Sequence, residues 1–195
     1  MKRIEYILIG IFLSGFIMNL FFLTGGGILL VLSASILAVL YYPGGLFLFN
    51  NLSFKGVFKK ETYSGLSVLR VIGSVVAGIA LSMICIGILF RLQSWPASGI
   101  NLLAGLSVLL IVGIIAAYKF MAKEATVYKG ILTRAIVYGI LGLGLFLTSS
   151  EDIERFRYRN HPDYLDLYEK HLQDPDNREL WKQLDEAHNR VAASD

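Results

Sequence analysis

Five long apolar stretches, separated by short polar breaks, constrain this chain more than any other feature. They fall at about residues 4–23, 28–42, 66–92, 100–120 and 131–148. An α-helix needs ~20 apolar residues to cross the hydrocarbon of a bilayer. The second run is short, but Pro43-Gly44-Gly45 kinks or ends it and residues 46–50 can complete the crossing. Transmembrane strands would alternate apolar with polar residues, and these runs do not. The expected fold is all-α: a polytopic membrane protein of about five transmembrane helices plus a short C-terminal helical hairpin. Composition agrees, since 55% of residues are hydrophobic and only 17% charged, against about a quarter charged in soluble domains.

Charge divides the chain in two. Residues 1–150 carry 11 Lys+Arg against 3 Asp+Glu, whereas residues 151–195 carry 7 against 12. We therefore expect a five-helix transmembrane domain over 1–150 and an acidic, water-exposed helical tail over 151–195. The basic start and first apolar run imitate a secretory signal. The nearest small-residue site, Ser33-Ala34-Ser35, lies inside the second run, so the first is read as an uncleaved helix.

Orientation follows from the basic residues. With the N-terminus in the cytoplasm, that side holds Lys2, Arg3, Lys55, Lys59, Lys60, Arg70, Lys119, Lys123, Lys129 and Arg134. Apart from the tail, the other side holds only Arg91. Arg70 and Arg134 lie a short way into their helices and are expected to snorkel to the interface. Five crossings then place the tail in the periplasm of a bacterial inner membrane.

The break between the third and fourth runs, residues 91–99, reads RLQSWPASG. Trp95 suits the membrane–water interface, Pro96 ends a helix, and Arg91 can reach lipid phosphate. An anchored turn accounts for all of these residues. The functional alternative is a docking site for a partner, built from Arg91, Gln93, Trp95 and Pro96. The first two hairpins also look alike, with residues 19–39 echoed in 88–110. We read them as a weak repeat whose second copy carries three or four extra turn residues.

The motif basic–x–x–Ser–Trp–Pro–Ala–x–Gly resembles the WP turn in the two-helix membrane part of GldL-like gliding-motility proteins of Bacteroidota. The resemblance covers mainly residues 82–112, with a fainter echo at Tyr42-Pro43-Gly44-Gly45. It implies an inner-membrane protein of that phylum with the WP turn on the periplasmic side. The motor function of that family does not carry over. It needs a carboxylate within the membrane helices, and here Glu5, Glu61 and Glu124 lie at segment ends or in loops.

Small residues promote close helix packing in lipid. Gly73, Ala77, Gly78, Gly139 and Gly142 are the candidates, serving the bundle itself or, alternatively, a homo-oligomer. In the tail, Pro162 and Pro175 mark two helix starts, with Asp174 as cap of the second. Tyr164, Leu167, Tyr168 and Leu172 share one face, and Leu180, Leu184, Ala187 and Val191 share another. Such a hairpin buries little by itself. Leu180, Trp181 and Leu184 need a cover: membrane surface, a second copy or a partner.

Chemistry is sparse. Cys85, the lone cysteine, reads as a small packing residue. His161, His171 and His188 match no metal spacing, and no nucleophile–base pair stands out. We expect no cofactor, no metal and no enzyme. Arg155, Arg157 and Arg159 alternate with Phe156 and Tyr158. Beside a membrane helix this favours lipid headgroups over nucleic acid. Asn51-Leu52-Ser53 is a glycosylation sequon on the expected cytoplasmic side. The leading expectation is a non-enzymatic scaffold or accessory subunit that binds an envelope partner through the tail and WP turn. The alternative is a small transporter or channel subunit, with Asn19, Ser33, Ser35, Ser82 and Asn101 as its modest polar candidates.

Overall fold

A computed structural model describes residues 2–21, 23–53, 56, 59–122 and 126–194. The helices are α1 (Lys2–Leu20), α2 (Gly26–Asn50), α3 (Val68–Leu92), α4 (Ser98–Met121), α5 (Thr126–Leu147), α6 (Ser150–Arg157), α7 (Pro162–Gln173) and α8 (Arg178–Ser194). A short 3-10 turn, Lys60–Tyr63, precedes α3. No strand occurs among the described residues. Helices α1 to α5 are long and apolar enough to cross a membrane, as the five runs predict. Lys55, Lys123 and Glu124 lie outside the described residues.

Helices α1 to α5 pack each against the next, α7 packs on α8, and α3 also meets α5 and α6. This central position explains why α3 is the most buried span, with Ala77, Leu81, Ile84, Cys85, Ile88 and Leu92 all enclosed. Isoleucines such as Ile7, Ile28, Ile111 and Ile140 point outward, as suits a lipid-facing surface. Pro43 does not end α2, which runs on to Asn50.

Backbones approach closely where α2 crosses α3. A Cβ added at Gly78 would sit 3.0 Å from Gly45 Cα and strike the Tyr41 carbonyl oxygen. Ala77 is fully buried beside it. On α5, a Cβ at Gly142 would stand 3.1 Å from the Ile84 side chain. Gly73 and Gly139 depart from expectation: a Cβ at Gly73 meets nothing within 4 Å, and one at Gly139 makes only ordinary contact with Leu109. Spacing identified the small residues, but only two of the four glycines lie where helices cross closely.

The likeness of the two hairpins is closer than the letters suggest. A step of 72 residues carries the end of α1 (Leu20) to the end of α3 (Leu92), and the start of α2 (Gly26) to the start of α4 (Ser98). It also carries one closing hydrogen bond, Leu23 N–H to Met18 O, onto another, Trp95 N–H to Phe90 O, each 2.8 Å. Left-handed Gly25 (φ 82°) maps onto left-handed Ala97 (φ 63°). Buried Leu30 and Leu37 map onto buried Leu102 and Leu109. Gly15 maps onto Gly87, and a Cβ at either would crowd the backbone nitrogen of Leu30 (2.7 Å) or Leu102 (3.0 Å). The expected extra turn residues are therefore absent. The backbone closure sets the register, and both turns have one length.

The tail also differs from its sequence reading. Residues 150–157 form α6, capped by the Ser149 hydroxyl, which accepts from Asp152 N–H at 2.9 Å. Helix α7 starts at Pro162 as expected. Helix α8 starts at Arg178, not at Pro175. The Asn177 side-chain oxygen accepts from the N–H groups of Glu179 (3.1 Å) and Leu180 (3.2 Å), making Asn177 the cap in place of Asp174.

Candidate functional site

The bundle encloses a charge pair. Glu5, in the first turn of α1, is fully buried, and Arg134 of α5 is buried beside it. Arg134 donates Nε–H to Glu5 Oε1 and Nη2–H to Oε2, a two-pronged ion pair. Its Nη1–H donates to the Gly130 carbonyl at 2.8 Å, and its guanidinium lies 5.4 Å from the centre of the Phe49 ring. The Tyr41 hydroxyl donates to Glu5 Oε1 at 2.9 Å. It stands 3.1 Å from the Tyr138 hydroxyl. Because Tyr41 spends its one proton on the carboxylate, Tyr138 is the natural donor of that second bond.

At 1.5 Å per residue, Tyr41 lies about 14 Å from the Asn50 end of α2, and Arg134 about 12 Å from the start of α5. Arg134 does not snorkel outward; its donors turn inward to a carboxylate. Glu5 lies at a helix end, in the first turn of α1 as the sequence places it, and its carboxylate is enclosed by groups of α2 and α5. A signal was available: a lone acid in the first apolar run and a lone base in the fifth are natural partners in a medium that penalises both.

Arg70 is also tied inward. Its Nε–H donates to Asn50 Oδ1 at 2.6 Å, and Asn50 Nδ2 donates to Ser74 Oγ at 2.9 Å, linking α2 to α3. The small polar candidates do not converge on one path. Ser33 donates to carbonyls of its own helix, Asn101 donates to Ala97 O, and Asn19 faces the tail.

At the other end, the WP turn is built into the fold. Arg91 donates to the Leu145 carbonyl (3.1 Å), the Thr148 carbonyl (2.6 Å) and Ser150 Oγ (3.1 Å). It thus caps the C-terminal end of α5, whose last carbonyls have no helical partners. Ser94 Oγ donates to Glu154 Oε1 at 2.6 Å. Arg157 of α6 donates to Asn19 Oδ1 at 3.0 Å and to the Leu92 carbonyl, and pairs with Glu154 at 3.3 Å. These bonds fasten α6 to the ends of α1, α3 and α5. Arg91 is thereby committed inside the protein, and Gln93 is half-buried. Trp95, 45% exposed, packs edge-on against Phe90, and Pro96 is exposed.

The tail has its own small core. Tyr158 stacks on Tyr164 with ring centres 3.7 Å apart, and Ala187 and Val191 close over them. The Tyr158 hydroxyl lies 2.6 Å from His188 Nδ1. Burial pushes both phenols above their ordinary pKa. Leu167, Tyr168 and Leu184 pack partly against this core. Leu180 is half-buried and Trp181 is 59% exposed. The three alternating arginines part company: Arg155 pairs with Glu169 of α7 (2.8 Å), Arg157 turns into the bundle, and Arg159 stacks over Phe156 and Phe21. Arg157 is therefore not an exposed headgroup anchor.

These features define an all-α, multi-pass integral membrane protein with a small helical appendage fastened to one end of the bundle. No family model matches the chain, and no curated protein or solved structure matches it.

Proposed function

We propose that this protein is a non-enzymatic membrane scaffold or accessory subunit whose α7–α8 hairpin receives a protein partner. The observation that carries this reading is Trp181, a large apolar ring left 59% exposed on a helix whose other face is already used. Residues 162–195 carry 9 Asp+Glu against 4 Lys+Arg. The matching partner is a protein with an apolar socket rimmed by Lys and Arg. The surface offered is Trp181 with the flanks of Leu180 and Leu184. The WP turn contributes Trp95 and Pro96, while Arg91 serves the fold. Its likeness to the GldL-like turn suggests an envelope setting, with the hairpin in the periplasm of a bacterial inner membrane.

Deleting the tail from residue 161 would uncover Tyr158, so a point probe is the better test. A photo-crosslinker at Trp181 should capture one stoichiometric envelope protein, and the same group at exposed Asp166 should not. Crosslinking only to a second copy of the chain would replace the partner with a homo-oligomer. Crosslinking to nothing would overturn the reading.

A second reading is a small transporter or channel subunit. Glu5, Arg134, Tyr41 and Tyr138 supply the buried ionisable cluster that such a function needs and that segment positions concealed. Purified protein in liposomes would show a cation or proton flux that Glu5→Gln abolishes. No flux from the unaltered protein removes this reading.

A further inference from the structure

Beside the α1–α2 turn lies a cavity of about 240 Å³, lined by Phe21, Leu23, Thr24, Arg157, Arg159, Asn160 and His161. We infer that it holds the phosphate group of an anionic phospholipid. Its position comes first. Phe21 and Leu23 follow the end of α1 and are half-exposed, as a rim facing lipid hydrocarbon would be. Thr24, Asn160 and His161 form the wetter side.

Charge comes second. The lining holds two arginines and no carboxylate. Arg157 is balanced by Glu154, though Arg157 Nε and Glu154 Oε2 have no hydrogen-bond partner among the described residues. Arg159 supplies the surplus positive charge. Its guanidinium centre lies 4.5 Å from the Phe156 ring centre and 5.6 Å from that of Phe21, and Nη1–H donates to the Phe156 carbonyl at 2.9 Å. The stacking holds the planar fork ready for a phosphate, which guanidinium meets with paired hydrogen bonds. With no acid in the lining to meet an amine, a zwitterionic headgroup would leave its cation unanswered. A lipid of net negative charge is the better fit.

The test uses the full-length protein in mild detergent, with bound lipid counted by native mass spectrometry. Unaltered protein should keep one phosphatidylglycerol at concentrations where phosphatidylcholine is lost. Arg159→Gln should weaken that retention roughly tenfold or more, as loss of a charge-assisted hydrogen bond implies. Arg155→Gln, which removes an exposed arginine paired with Glu169, should leave it unchanged. Circular dichroism of Arg159→Gln checks that α6 to α8 remain folded. If they do not, Arg159→Lys, which keeps the charge, should preserve the preference for phosphatidylglycerol. Equal retention by Arg159→Gln, no preference between the lipids, or loss of the preference in Arg159→Lys overturns the assignment. Displacement by millimolar inorganic phosphate would make a soluble phosphate the occupant and overturn the lipid.

Discussion

Removing Arg134 would leave the Glu5 carboxylate enclosed, with the Tyr41 hydroxyl as its remaining donor. Breaking a buried ion pair from one side costs about 3–5 kcal/mol, whereas replacing both members with apolar residues is often neutral or better. Arg134→Leu should therefore lower the thermal midpoint of the purified protein sharply, and Glu5→Leu combined with Arg134→Leu should recover most of the loss. A double variant no more stable than the single one would show that the two side chains do not act as a pair. Sequence exposed both charges but not their meeting, because they lie 129 residues apart. Arg91 teaches the same lesson at the opposite end. Its residue type and its place beside Trp95 suit lipid or a partner, yet the uncapped carbonyls of α5 claim it first.

At the scale of elements, the α7–α8 hairpin responds to pH from both sides. Burial raises the pKa of Tyr158 and Tyr164 above the ordinary 10.0. A raised folded-state value means that their contribution is whole below pH 10.0 and is lost as the pH climbs towards the folded values. Tyrosinate absorbance should therefore rise together with loss of α7–α8 helicity, and not ahead of it. Glu169 runs the other way: the hydrogen bond from Arg155 depresses its pKa below the ordinary 4.5. That contribution is present above pH 4.5 and disappears as acid protonates the folded carboxylate. Amide protection across α6 and α7, taken relative to each amide's intrinsic exchange rate, should fall below that pH, and more so at low than at high salt, since the pair is exposed. Flat protection between pH 6 and 3 would show that the pair does not hold the two helices together. The faces of both helices were legible, because helical spacing is a local pattern. Helix α6 is not legible in the sequence, because Arg155 and Arg157 read as part of an alternating run until the Ser149 cap starts a helix before them.

For the whole molecule, five crossings would place the two chain ends on opposite sides. A reporter active only in the periplasm should work when fused after Asp195 and fail when fused at Ser64, between α2 and α3. The reverse pattern would invert the orientation drawn from the basic residues. The paired hairpins show how much of the architecture is one unit used twice, with its turn closures, left-handed caps and buried leucines 72 residues apart. Only part of that repeat was visible beforehand. Membrane helices draw on few residue types, so letters align loosely, while a backbone closure fixes register to the residue.

By itself, the sequence determined five spans, their breaks, the acidic tail and the two faces of its hairpin. Apolar length and helical period are properties of short windows, and a bilayer or a helix reads them locally. Tertiary structure alone decided that Glu5 meets Arg134, that Arg91 closes α5, that Gly78 rather than Gly73 admits a neighbour, and that Arg159 borders a cavity. Each depends on which helix face turns towards which across dozens of residues. No window of hydropathy contains that information, because it arises only when the helices pack.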